Sequence, residues 1–400
     1  MTSKAAILLL AMGHLMVAPG LAKPEFCECL APTYMTRFSA KLFQEIIRWQ
    51  SQLYNVVFSP FTVHSTLALI YRASEGETFE EVQQVGQFDK QPVFVALDFE
   101  RLIKFKEHLQ GARLTSFSRV FYNQQLGGVN SRYDEFSKFF FDIATEPVDM
   151  DGGQDTANRI NDWLRRVGVM AYVSPHDITP SGKSSAQMQA LLVSTGYFRG
   201  HWEHKFGLDN TRSSNFHHAN GAASSVRMMY NHDVYALADL PELEATALEL
   251  AFDESATSLL ILLPNRPNGL AHLEQQLARP EFDLNRIASR LHRQSVTVGL
   301  PRMRFGSQCN MTNPLKRLGL RKMFTASSGV TKLVDQPVRM DKFLYRSFFS
   351  LTEGGTGHVN LLNGKPLPAK AKEVVANRPF FFAIRTPKTV LFMGHVLNPR

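Results

Sequence analysis

The sequence predicts an α+β fold, with helices gathered early in the chain and strands late. Two observations carry this. Up to about residue 168 apolar residues recur mainly at helical spacing, and beyond it strand-like runs crowd together: ALLVSTGYF, ATALELAF, SLLILLP, SVTVGLPRMRF, LYRSFFSL, PFFFAI and TVLFMGHV. Helices followed by strands, instead of regular alternation, indicate α+β and not α/β. There is also no internal repeat and no Ser/Gly-rich or Pro-rich boundary, so residues 23–400 read as one large domain.

Taken in order, the N-terminus MTSKAAILLLAMGHLMVAPGLA pairs Lys4 with a short apolar stretch and a small-residue end at Gly20-Leu21-Ala22. This is the pattern of a secretory signal peptide over residues 1–22, since the stretch is too short to span a bilayer. Phe38, Leu42, Ile46 and Leu53 predict an amphipathic helix over 37–53. A short strand at Asn55–Phe58 then leads into a helix capped by Ser59, with Pro60 at its first position, where a missing N–H costs nothing. Thr78 is the expected cap of the following helix, whose Glu80 and Glu81 suit a helix start. A helix over 98–110, a strand over 114–122 and a helix over 155–168, carried by Ala157, Ile160, Trp163, Leu164 and Val167, complete the first part.

The chain carries a formal net charge of +8, or +7 once Lys4 is removed. Its basic residues are dispersed, the densest groups being Arg165-Arg166, Arg302/Arg304 and Lys316-Arg317 with Arg321-Lys322. Weak attraction to polyanions follows, although dispersed charge more often marks a solvated surface. The three cysteines, Cys27, Cys29 and Cys309, leave an odd thiol in a secreted chain. Cys27 and Cys29 are too close for an unstrained bridge, and a link from either to Cys309 stays open. Asn310-Met311-Thr312 is the one N-glycosylation triplet.

Motifs for chemistry are poor. Gly182-Lys183-Ser184 lacks the earlier glycine of a phosphate loop, Asp177 standing there instead. Gly355-Thr356-Gly357 lacks the third glycine of a dinucleotide fingerprint, Asn360 taking its place. His201/His204 and His217-His218 match no metal-ligand spacing. No nucleophile elbow is present. Neither an enzyme, a metal nor a cofactor is indicated, and no nucleic-acid or membrane partner.

Several long stretches together resemble the serpin family, in the right order over nearly all of residues 37–400. They are NVVFSPFTVHSTLALIYRASEGETFEEV, LLVSTGYFRGHWEHKF, YALADLPELEATALELAFDESATSLLILLPN, LPRMRF, NPLKRLGLRKMF, and finally EGGTG with NRPFFFAI and VLFMGHVLNP. The resemblance implies three β-sheets, about eight or nine helices and an exposed reactive loop over about 353–376, in a monomer. In inhibitory members a serine protease cleaves that loop as substrate. The loop then inserts as an extra strand of the large sheet and drags the acylated protease with it, a strand addition within one chain.

The family hinge reads Glu-x-Gly-Thr followed by small residues. Here Glu353, Gly355 and Thr356 match, and Gly357, His358, Val359, Asn360, Leu361 and Leu362 do not. Because strand side chains alternate, His358, Asn360 and Leu362 share a face with Thr356. Burying an unpaired His or Asn costs roughly 1–3 kcal/mol each. Beneath the opening sheet the family's Asn and His are matched by Ser194 and Tyr345, with Ser59 and Thr62 supplying the hydroxyl pair and Trp202 the entry tryptophan.

Family spacing places the scissile bond near Ala369–Lys370, with Lys370–Ala371 the alternative. Lysine suits a trypsin-like protease and alanine an elastase-like one. The helix at 78–88 has no Lys or Arg, so the heparin site some members carry there finds no support. The expected function is a secreted serpin whose loop is cut with weak or absent covalent trapping, acting as substrate, binder or carrier. The alternatives are a suicide inhibitor of a trypsin-like endopeptidase and an interaction protein using its basic surface.

Overall fold

The computed structural model describes residues 33–49, 54–107, 109, 111–168, 172–178, 187–279, 282–357 and 363–399. The signal segment 1–22, Cys27 and Cys29, Gly182–Ser184, and His358, Asn360 and Leu362 lie outside the described residues.

Ten helices and fifteen strands are described. Helices α1 (Thr33–Trp49), α2 (Pro60–Ala73), α3 (Gly76–Gly86), α4 (Pro92–Glu107), α5 (Ser131–Phe141), α6 (Gln154–Arg166) and α7 (Pro175–Ile178) alternate with only β1 (Val56–Phe58), β2 (Ala112–Asn123) and β3 (Ile143–Val148). The later chain is mostly strand: β4 (Ala190–His201), β5 (Thr211–His217), β6 (Ala223–Leu240), β7 (Ala245–Ala251) and β8 (Ser258–Pro264). After α8 (Leu270–Leu277) and α9 (Leu284–Ala288) come β9 (His292–Pro301), β10 (Met303–Asn310), α10 (Thr312–Leu318), β11 (Met340–Thr352) and β12 (Gly355–Thr356). The chain closes with β13 (Glu373–Val375), β14 (Phe380–Arg385) and β15 (Val390–Val396).

The strands form a large sheet in the order β10-β11-β12-β4-β2-β3 and a nine-stranded path β1-β15-β14-β8-β7-β6-β9-β13, with β5 also on β6. Three sheets were expected, and two are described, one of six strands and one of nine that β6 holds together. At 18 residues β6 is long enough to pair with β5, β7 and β9 in turn.

The α2 helix is buried along nearly its whole length, every residue except Arg72, so its sequence lacks a polar face. Ser59 caps it as expected, its side chain accepting the Thr62 N–H at 3.1 Å. Thr78 does not cap α3. The helix begins two residues earlier, and the buried Thr78 hydroxyl accepts the Gly329 N–H at 2.9 Å. The first helix begins at Thr33, four residues before the expected start.

On the large sheet alternate residues face opposite layers. Phe343, Tyr345, Phe349 and Leu351 of β11 and Leu192 and Phe198 of β4 enter the main core. Leu344 of β11 and Leu191 and Val193 of β4 turn the other way, under Ile160, Trp163 and Leu164 of α6. The seam between β4 and β11, paired in parallel from Met340/Ala190 to Phe348/Tyr197, is thus covered on both sides.

Candidate functional site

The seam ends where β12 begins. Gly355 and Thr356 wedge between the two strands as a two-residue strand antiparallel to both, Thr356 lying opposite Leu351 of β11 and Gly200 of β4. The chain therefore turns back at Glu353-Gly354 and starts an inserted strand. Gly355 sits at φ +147°, and a Cβ there would fall 1.9 Å from the Gly200 carbonyl oxygen, so the entry admits only glycine.

Glu353 is completely buried. Its Oε1 accepts the Thr211 hydroxyl at 3.0 Å, and Oε2 lies 3.7 Å from Arg302 Nε. Its backbone carbonyl accepts the Phe206 N–H at 2.8 Å. Trp202, also buried, donates its indole N–H to the Thr352 carbonyl at 3.0 Å and its backbone N–H to Gly354 at 2.9 Å, and stacks on Phe252 at 4.8 Å. Glu353, Gly355, Thr356 and Trp202 are thus brought together as one fixed entry.

The strand stops at once. Gly357 turns to φ +87°, and its N–H goes to the Ser350 hydroxyl at 3.1 Å. Thr356 is 1% exposed, and its hydroxyl is buried without a hydrogen-bond partner. The core-facing layer offers no polar partner at the first inserted position.

Below the entry, Ser59, Thr62, Ser194 and Tyr345 gather around the N-terminus of α2. Tyr345 and Ser194 are register partners across the seam, yet each bonds away from it. The Tyr345 hydroxyl accepts the Ser59 N–H at 2.9 Å, and the Thr62 hydroxyl donates to Ser59 Oγ at 3.0 Å. Ser194 Oγ lies 2.7 Å from Ser118 Oγ of β2 and 3.3 Å from Thr66 Oγ1 of α2. Gly196 leaves room for the Tyr345 hydroxyl, which would lie 2.9 Å from a Cβ there. Complete burial raises the Tyr345 pKa, so the phenol stays neutral. Among the described residues no side-chain hydrogen bond joins Ser194 to Tyr345 across the seam, and at its far end the Asp341 carboxylate of β11 accepts the Ala190 N–H of β4 at 3.3 Å.

The loop after the hinge is tethered more than its sequence suggested. Asn210 Nδ2 donates to the Lys365 carbonyl at 2.8 Å, and Leu367 packs on the cluster of Phe216, Val226, Met228 and Tyr230. Pro366 and Pro368 are exposed on either side. A lone leucine between prolines in a basic loop was the available signal for this anchor. Ala369 and Lys370 are exposed in a bend and Ala371 is half-buried. Beyond them the Lys372 carbonyl accepts the Thr297 N–H at 2.9 Å, and β13 joins β9 in parallel.

The remaining expected residues lie elsewhere. Cys309 is 1% exposed and faces the core, its sulfur 3.5 Å from Ser307 Oγ. Asn310 is half-buried, its Oδ1 accepting the Thr312 N–H at 3.1 Å, while the buried Thr312 hydroxyl accepts the Phe343 N–H. His204 Nδ1 lies 3.3 Å from Asp233, and His218 bridges Leu397 and Ser224.

Residues 33–399 match the model of the family described as Serpin (serine protease inhibitor). Alaserpin of Manduca sexta is 26% identical over 376 residues, 91% of this chain and 92% of that protein. Serine protease inhibitor 42Dd of Drosophila melanogaster is 26% identical over 384 residues, 92% and 98% of the two chains. Among solved structures, Serpin48 of Tenebrio molitor superposes with a TM-score of 0.82 at 23% identity, covering 95% of this chain and all of that one.

Proposed function

The chain belongs to the serpin family, a family of serine protease inhibitors and not of enzymes, and on that premise we propose a secreted serpin whose bait loop is cut with inefficient covalent trapping. The observation that carries this is the buried, partnerless hydroxyl of Thr356 at the mouth of the seam. Extending the registers of β12 by two residues per step lays an inserted His358 between Phe349 and Phe198. Asn360 would then lie between Ser347 and Gly196, and Leu362 between Tyr345 and Ser194.

His358 thus enters a phenyl-lined layer at a cost of roughly 1–3 kcal/mol for an unpaired polar group. Ser347 already donates to the Val57 carbonyl at 2.6 Å, so Asn360 meets a hydroxyl that is committed as a donor. Insertion must also strip Leu367 and Lys365 from their anchors. It competes with hydrolysis of the acyl-enzyme, and each 1.4 kcal/mol added to the insertion barrier slows it about tenfold. The N-terminal pattern supports secretion, and exposed Ala369 and Lys370 support a trypsin-like or elastase-like serine protease as the cutter.

The alternative, a suicide inhibitor, is favoured by one observation: Gly355 and Thr356 already occupy the seam. Incubation of the purified protein with trypsin and with elastase separates the two readings. The expected result is a cut within Ala369–Ala371 and little complex that survives denaturing electrophoresis. A stoichiometric covalent complex would establish the inhibitor instead.

A further inference from the structure

On the outer face of the large sheet, immediately below the end of β12, lies a cavity of about 570 Å³. That is the size of a pocket for a small organic ligand. Its floor includes Tyr197 of β4 and Phe348 of β11, register partners directly across the seam. Each ring carries an arginine: Arg199 stands 5.4 Å from the Tyr197 centroid and Arg304 4.7 Å from that of Phe348. Arg227 and Arg302 complete the rim, and no Asp or Glu occurs among the described lining residues. Two aromatic faces under Arg199, Arg304 and Arg227, with Arg302 held 3.7 Å from Glu353 at the edge, form a surface for a flat apolar body bearing an anionic group.

We propose that this cavity binds an amphipathic organic anion, an aromatic or polycyclic body with a sulfonate, sulfate or carboxylate, and that the ligand holds the seam closed. The second part follows from position. The aromatic floor of the site is shared between β4 and β11. A strand inserted between them would move Tyr197 and Phe348 about 5 Å further apart, one strand spacing. The ligand therefore binds the uninserted form better, and by linkage it must oppose insertion. This consequence assumes loop insertion as the family's transition, whereas binding itself is read on the uncleaved protein and stands or falls independently of trapping.

The test titrates the full-length uncleaved protein with 1-anilinonaphthalene-8-sulfonate and with the uncharged N-phenyl-1-naphthylamine. One saturable site for the sulfonate is expected, with the neutral probe at least tenfold weaker. The double variant Arg199→Glu/Arg304→Glu is expected to weaken the sulfonate at least tenfold at unchanged melting temperature. Should that variant melt early, Arg227→Glu gives the same reading from the rim alone. Bound sulfonate is also expected to slow hydrogen exchange of the amides in 195–198 and 346–349. Equal binding of the neutral probe, undiminished binding in the variants, preferential occupation by a heparin tetrasaccharide, or unchanged exchange with the site saturated would each overturn the proposal.

Discussion

At the scale of single residues the molecule spends its polar groups on holding positions. Glu353 is buried to fix the turn before the hinge, with Thr211 and Arg302 as its partners. Tyr345 reaches beneath β4, where Gly196 leaves it room, to receive the Ser59 N–H. His64 shows the cost of such burial. Fully enclosed, it stacks between Phe38 at 4.2 Å and Phe88 at 5.0 Å and meets the Gly86 carbonyl at 2.8 Å. Burial lowers its pKa to about 3, despite the opposing effect of the Gly86 hydrogen bond. The folded state thus refuses a proton that the unfolded chain accepts below about pH 6.5. Its contribution is complete above that pH and is lost progressively as pH falls toward 3, by about 1.4 kcal/mol per unit. The denaturation midpoint of the wild type is expected to fall between pH 6.5 and 5 more steeply than that of His64→Gln. Parallel slopes would show that His64 does not carry this dependence.

At the scale of elements the seam between β4 and β11 decides what the hinge can do. Inserting seven more residues, as far as Asn363, means parting Leu344 from Val193 beneath α6. The segment around α7 adds a polar latch. Lys342 Nζ donates to the Asp177 carbonyl at 2.5 Å and to that of His176 at 3.3 Å, while Arg346 reaches the Tyr172 carbonyl at 3.1 Å and the Asp177 carboxylate at 3.3 Å. Burial lowers the Lys342 pKa, with Asp177 and Asp341 opposing. Lys342→Ala is expected to speed hydrogen exchange in 190–197 and 340–348 by about tenfold, the equivalent of one hydrogen bond from a charged group. Exchange unchanged there would mean that α6 packing alone closes the seam. On the hinge itself, His358→Ala/Asn360→Ala removes the two polar side chains expected to obstruct insertion. The double variant is predicted to form a protease complex that survives denaturing electrophoresis, at least tenfold more than wild type. An equal yield would place the obstacle elsewhere, with the loop anchors at Asn210 and Leu367 the next to alter.

At the scale of the whole molecule the sequence was informative wherever a short-range rule governs. The Ser59 cap with Pro60 behind it, the early helices and the late strands all follow from neighbours within a few positions, whereas the Glu353–Thr356 hinge was legible only through the family resemblance. Thr78 misled because its hydroxyl serves Gly329, 251 residues away. The joining of nine strands into one sheet through β6 was not legible either, since it depends on which strands meet β6 along its length. Nor was the loop's attachment, because nothing local to Lys365 or Leu367 names Asn210 or Phe216 as partners. Cleavage of the loop is predicted to leave the sheet uninserted, a property of the whole molecule. Calorimetry of the protein before and after complete loop cleavage reads this directly. A melting temperature within about 5 °C of the uncleaved value is predicted, since an added central strand would stabilise the sheet by several kcal/mol and shift it further. A larger rise would mean that His358 and Asn360 are accommodated in the sheet, and would contradict the account.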